Sequence, residues 1–197
     1  MTNPFGLALT VFTVIFLLEL PDKTALATLV LATRTRPLPV FLGAAAAFVV
    51  QSAVAVAAGS LLSLLPRDPI RIGAGVLFLV MAAVILRQNL RKRDVDDTRK
   101  IEREAGRHRN PFVTAFTVVF IAEWGDLTQL ATAALQARYQ SAPVVFISAT
   151  LALWTVTAIA VGLGNRLGAW VPQRPLQLAA AGVMVLVAIA LITGILG

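Results

Sequence analysis

A chain of 197 residues with 58% hydrophobic and 14% charged residues and a mean hydropathy of +0.82 is too apolar for a water-soluble domain of its size. It reads as an integral membrane protein. The absence of Cys excludes disulfides and thiolate metal centres, so any bound ion would have to take oxygen ligands.

Six apolar runs, near 4–33, 38–65, 70–90, 111–137, 142–165 and 175–196, approach or exceed the roughly 20 residues that cross a bilayer. The predicted fold class is therefore an all-α integral membrane protein with six transmembrane helices. No Lys or Arg precedes Lys23, and no small-residue cleavage pattern follows the first run, so that span is expected to remain in the mature protein.

The first run carries Glu19-Leu20-Pro21-Asp22-Lys23-Thr24 inside hydrocarbon-compatible sequence. A carboxylate at the bilayer centre costs roughly 2.5–3.5 kcal/mol even on insertion scales, so such acids need a compensating cation or protons. Pro21 lacks an N–H and frees the carbonyl of Leu17, which favours local unwinding between the two acids. The second run offers Gln51 and Ser52 as extra oxygens, although a plain hydrogen bond between helices is the commoner use of such groups. Its Ala44 to Ala47 stretch, with Gly73, Gly75, Gly162, Gly164 and Gly182 elsewhere, reads as close helix packing.

Between the third and fourth runs lies a segment of mixed charge. Nine of the 17 Lys and Arg fall between Arg87 and Arg109, which by the positive-inside rule makes this loop cytoplasmic and puts both termini on the outer side. Arg34, Arg36, Arg166 and Arg174 then lie inside, against Arg67, Arg71 and Arg138 outside. The basic residues are thus a topology signal; without interleaved aromatics or a soluble reading fold they do not indicate nucleic acid. Asp94, Asp96 and Asp97 are crowded by cations that would repel a metal, and His108 reads as a solvated loop residue.

The fourth run repeats the first. At an offset of 104, residues 12–34 and 116–138 agree at 12 of 23 positions, including Glu19/Glu123, Asp22/Asp126, Thr24/Thr128, Thr28/Thr132 and Arg34/Arg138. Shared oiliness would explain apolar matches but not these. Pro39 and Pro143 carry the offset into the next span, so the duplicated unit is three helices: residues 1–90, a linker 91–110, and residues 111–197. An odd number of spans reverses direction, giving two inverted three-helix repeats with a site expected at their interface near mid-membrane.

Residues three apart on a helix share a side, so Glu19 with Asp22 and Glu123 with Asp126 are expected to aim four carboxylates at one point. Gly125 eases unwinding in the second copy as Pro21 does in the first. Four acids and one Lys give a formal charge of −3, which one divalent ion would reduce to −1. Mere structural ion pairing fails as an account, because one Lys cannot neutralise four acids. Hard oxygen ligands suit Ca2+, Mn2+ or Mg2+, with Thr24, Thr128, Gln129 and Gln51 as supporting groups and Lys23 as a local counter-charge. Trp124, beside Glu123, is expected either to wall this cavity or simply to pack. Like charges held close cannot all ionise at once, so the acids would hold metal or protons in turn.

A paired Glu-x-Gly-Asp-(Lys/Arg)-(Thr/Ser) motif, one per three-helix half, resembles the Ca2+/Mn2+-proton exchanger family of Golgi, thylakoid and bacterial membranes. Pro21 stands in place of Gly in the first copy, and Leu127 in place of Lys or Arg in the second. The resemblance implies antiport, with export of Mn2+ or Ca2+ in exchange for protons, no prosthetic group and no enzymatic activity. It further implies Glu19, Asp22, Glu123 and Asp126 as metal residues with Thr24 and Thr128 in support. A compact bacterial protein of the inner membrane, embedded in lipid and free to form homo-oligomers, is the expectation. The rivals are a proton-coupled small-metabolite exporter, which would not move metal, and an intramembrane aspartyl protease, in which each Asp would not be accompanied by a Glu.

Overall fold

The computed structural model describes residues 3–20, 28, 31–32, 35–64, 67–90, 110–163 and 173–193. Among these, every regular element is helical: α1 (Pro4–Glu19), α2 (Pro37–Leu62), α3 (Arg67–Leu90), α4 (Pro111–Ala122), α5 (Leu127–Tyr139), α6 (Ala142–Leu163) and α7 (Gln173–Thr193). The described part of the chain is thus all-α. Two stretches, Pro37–Leu62 and Ala142–Gly162, are long and apolar enough to cross a membrane by length and composition; Pro4–Glu19, Ile72–Arg87, Pro111–Ala122 and Ala181–Ala190 are shorter apolar helices.

The expected single helix over 111–137 is two helices, α4 and α5, separated at Glu123 to Asp126. The linker 91–109, with His108, lies outside the described residues, as do Pro21, Asp22, Lys23 and Thr24.

Both α1 and α4 begin on the same tripeptide, Asn-Pro-Phe. The Asn3 side chain accepts from Phe5 N at 3.1 Å and that of Asn110 from Phe112 N at 3.0 Å, satisfying a donor that the first turn leaves open. Pro4 and Pro111 follow, where a missing N–H costs nothing and φ is preset. Further along, Phe12 stacks on Phe16 and Phe116 on Phe120, each with ring centroids 5.6 Å apart. The two segments related in sequence are therefore alike in local structure.

The helices pack crosswise. α2 lies along both α4 and α5, α1 lies against α6, and α3 pairs with α7. Val11, Val14, Ile15 and Leu18 of α1 join Phe78 and Met81 of α3, Leu135 of α5, Val145 and Ala149 of α6 and Met184 of α7 in one buried cluster. The small residues act unequally in this packing. A Cβ on Gly43 would meet the carbonyl oxygen of Phe112, one on Gly59 the carbonyl oxygen of Ala133, and one on Gly75 the Ile192 side chain at 2.5 Å. Gly73, Gly162 and Gly182 face open space instead, which corrects their reading as packing positions, and Gly164 lies outside the described residues. Ala44, Ala45 and Ala47 are buried.

Candidate metal centre

The second acidic motif is built around a helix break. Glu123 N still bonds Val119 O at 3.0 Å, but Trp124 N turns back to Ile121 O at 3.4 Å, and Gly125 enters the left-handed region with φ of 75°. Only glycine takes that conformation readily, so the break falls where the sequence permits it. The chain restarts as α5 with Asp126 as N-cap: its Oδ1 accepts from Gln129 N at 2.8 Å, and its Oδ2 from Thr128 N at 3.1 Å and the Thr128 hydroxyl at 2.6 Å. Gln129 closes the turn from the other side, its Oε1 accepting from Gly125 N at 2.7 Å.

Glu123 and Asp126 therefore do not share a helix face, as the three-residue spacing suggested. One caps the C-terminus of α4 and the other the N-terminus of α5. Across the interface stands Glu19, the last residue of α1, and one carboxylate oxygen from each of Glu19, Glu123 and Asp126 lies within 4.8 Å of the other two. That spacing matches a hard cation seated among them, with ligand bonds of about 2.3–2.6 Å for Ca2+ and somewhat less for smaller ions. Glu19 and Glu123 are only 1% and 2% exposed, while Asp126 is half-buried. Carboxylates shielded to that degree are costly when ionised unless positive charge or protons accompany them.

Of the expected supporting groups, Thr128 and Gln129 hold Asp126 and the turn. Gln51 reaches across from α2, its Nε2 donating to Phe120 O at 3.1 Å. With Ser52, Asp126, Thr128, Gln129 and Thr132 it lines a small polar recess beside the carboxylates, closed by Ala55 and Leu153. Among the described residues, the buried Ser52 hydroxyl and Gln129 Nε2 have no hydrogen-bond partner. Trp124 is 58% exposed and tilts against the Phe120 ring at a centroid distance of 5.0 Å, so it packs on the outer surface of the break. The sequence reading did not anticipate the Gln136 Nε2 to Ser60 Oγ bond of 3.0 Å, which ties α5 to α2 beyond the recess. Two polar residues within apolar helices were the available signal.

A sequence model of the family described as "Divalent cation/proton antiporter GDT1" matches residues 7–93 and 111–196. The chain is 33% identical over 181 residues to a Vibrio cholerae protein named "Putative manganese exporter", covering 90% of this chain and 86% of that one. It is 28% identical over 183 residues to GDT1-like protein 3 of Arabidopsis thaliana, covering 83% of this chain and 62% of the plant protein. A rice protein of the same name, from Oryza sativa subsp. indica, is 28% identical over 175 residues, with 79% and 62% covered. No solved structure matches.

Proposed function

The chain belongs to the GDT1 family of divalent cation/proton antiporters, and from that premise we propose that it exchanges Mn2+ or Ca2+ for protons at a site formed by Glu19, Asp22, Glu123 and Asp126. The observation that carries this reading is the convergence of Glu19, Glu123 and Asp126 from two sequence-related segments distant in the chain. Asp22 is included for its register with Asp126 in the repeat, and Thr24 follows it in the sequence as Thr128 follows Asp126. The likeness to a protein named as a manganese exporter supports Mn2+ as substrate and export as direction.

In this reading the protein has six spans in two inverted repeats, with α4 and α5 as the halves of one broken span. The linker 91–110 is cytoplasmic, and the chain sits in the inner membrane. The crosswise packing of α1 on α6 and of α2 on α4 and α5 supports a site shared between halves. With the cation bound, the charge of the ionised carboxylates is largely offset; when protons arrive they discharge the same oxygens and release it. Occupancy by one or the other, coupled to movement of one half against its partner, gives antiport.

The test is metal-driven proton movement in proteoliposomes. Wild type should couple Mn2+ or Ca2+ flux to opposite proton flux, and Glu19→Gln or Glu123→Gln should abolish it in folded protein. Retained coupled exchange in both variants would overturn the site, and proton flux without metal flux would favour a metabolite exporter.

A further inference from the structure

The helix break leaves one carbonyl with a specific problem. In a continuous helix Trp124 N would bond Phe120 O; here it bonds Ile121 O, so the Phe120 carbonyl loses its helical donor one turn before Glu123. A carbonyl released at this depth needs a donor from protein. Gln51, 4% exposed on α2, supplies it, and the chemistry fixes the orientation, since only its amide N–H can meet a carbonyl oxygen.

α2 itself is fixed on both sides of that bond. Eight residues before Gln51, Gly43 lies against the Phe112 carbonyl of α4; eight residues after it, Gly59 lies against the Ala133 carbonyl of α5. One unbroken helix thus splints the two pieces, and Gln51 grips the piece carrying Glu123 while lining the recess shared with Asp126.

We infer that Gln51 is a positioning residue: through its hydrogen bond to Phe120 O it sets the separation between Glu123 and its partners Glu19 and Asp126, and so tunes the size of cation that the site accepts. This rests on the metal-site reading above. A smaller ion such as Mn2+ needs the oxygens drawn closer than Ca2+, which tolerates a wider and more flexible shell. Loosening the latch therefore penalises Mn2+ more.

The experiment compares Mn2+ and Ca2+ titrations of the purified full-length protein with transport kinetics, in wild type, Gln51→Met, Gln51→Glu and Glu123→Gln. Gln51→Met keeps the volume but has no donor; Gln51→Glu keeps oxygen but loses the amide. The latch predicts that both weaken Mn2+ binding at least fivefold and lower the Mn2+/Ca2+ preference, raising KM more than they lower the maximal rate, with thermal unfolding still cooperative. Binding in Gln51→Glu as tight as or tighter than wild type would make Gln51 a direct ligand and overturn the latch. So would an unchanged ion preference in Gln51→Met while Glu123→Gln is dead. Full binding in Glu123→Gln would overturn the metal site and the latch with it.

Discussion

The Thr128 hydroxyl donates to Oδ2 of Asp126 at 2.6 Å while the amide of the same residue donates to the same oxygen at 3.1 Å, so one threonine holds the carboxylate by two bonds. Hydrogen bonds to a charged group contribute about 1.5–3 kcal/mol each. Thr128→Val, which keeps shape and removes the hydroxyl, should destabilise the protein by about 1–2 kcal/mol and weaken cation binding severalfold. Thr128→Ser should restore most of both, as thermal melts and Mn2+ titration would show.

Asp126 has two separable duties, capping α5 and supplying charge. Asn caps helices nearly as well as Asp. Asp126→Asn, however, keeps one acceptor oxygen and turns the other into a donor, so it should retain only part of the cap and lose cation exchange, whereas Asp126→Ala should lose exchange and about 1 kcal/mol more of stability. Equal melting temperatures for the two variants would show that the cap contributes nothing.

Replacing a helical Gly by Ala ordinarily gains up to about 1 kcal/mol. At Gly59 and Gly43 the added methyl meets a backbone carbonyl that cannot swing aside, and the sign should reverse to a loss of about 1–3 kcal/mol. Gly182→Ala, facing open space, is the control and should be neutral or stabilising. Chemical denaturation in detergent would rank the three.

Gly125 meets nothing within 4 Å where a Cβ would stand, so its constraint is purely the backbone. Gly125→Ala should cost about 1–2 kcal/mol from the left-handed conformation alone, and Gly125→Asn less. Cation affinity should fall in the same order, because the turn sets where Asp126 begins.

If metal and protons compete for the same oxygens, binding of Mn2+ must release protons, and its apparent Kd must rise as pH falls. Titrating Mn2+ into weakly buffered protein, with pH recorded, reads this directly. An affinity unchanged from pH 8 to pH 6 would exclude shared carboxylates.

The acids were legible in the sequence because charge within oil is rare and because Glu123 and Asp126 echo Glu19 and Asp22 at one fixed offset. Gly125 announced a weak point in the fourth run. That Asp126 opens a new helix also left a trace in the sequence, Asp followed three residues later by Gln being a capping pattern, but the apolar run continuing on both sides concealed it. Which glycines pack closely was hidden as well: Gly43 and Gly182 sit in similar apolar surroundings along the chain, and only the neighbouring helix separates them. Gln51 stood out as polar, but its partner is 69 residues away on a carbonyl that exists as a free acceptor only because of the break.

The matching Asn-Pro-Phe starts of α1 and α4 are not equally far from their acids. α1 runs 16 residues from Pro4 to Glu19, and α4 with its C-cap runs 13 from Pro111 to Glu123; at 1.5 Å per residue these are about 24 Å and about 20 Å. On the proposed topology, with the halves inverted and the linker cytoplasmic, that inequality would place the ion nearer the cytoplasmic surface than the outer one. A charge travelling from the site to either side then crosses unequal fractions of the transmembrane voltage. The outward leg of the cycle should accordingly respond more steeply to membrane potential than the inward leg.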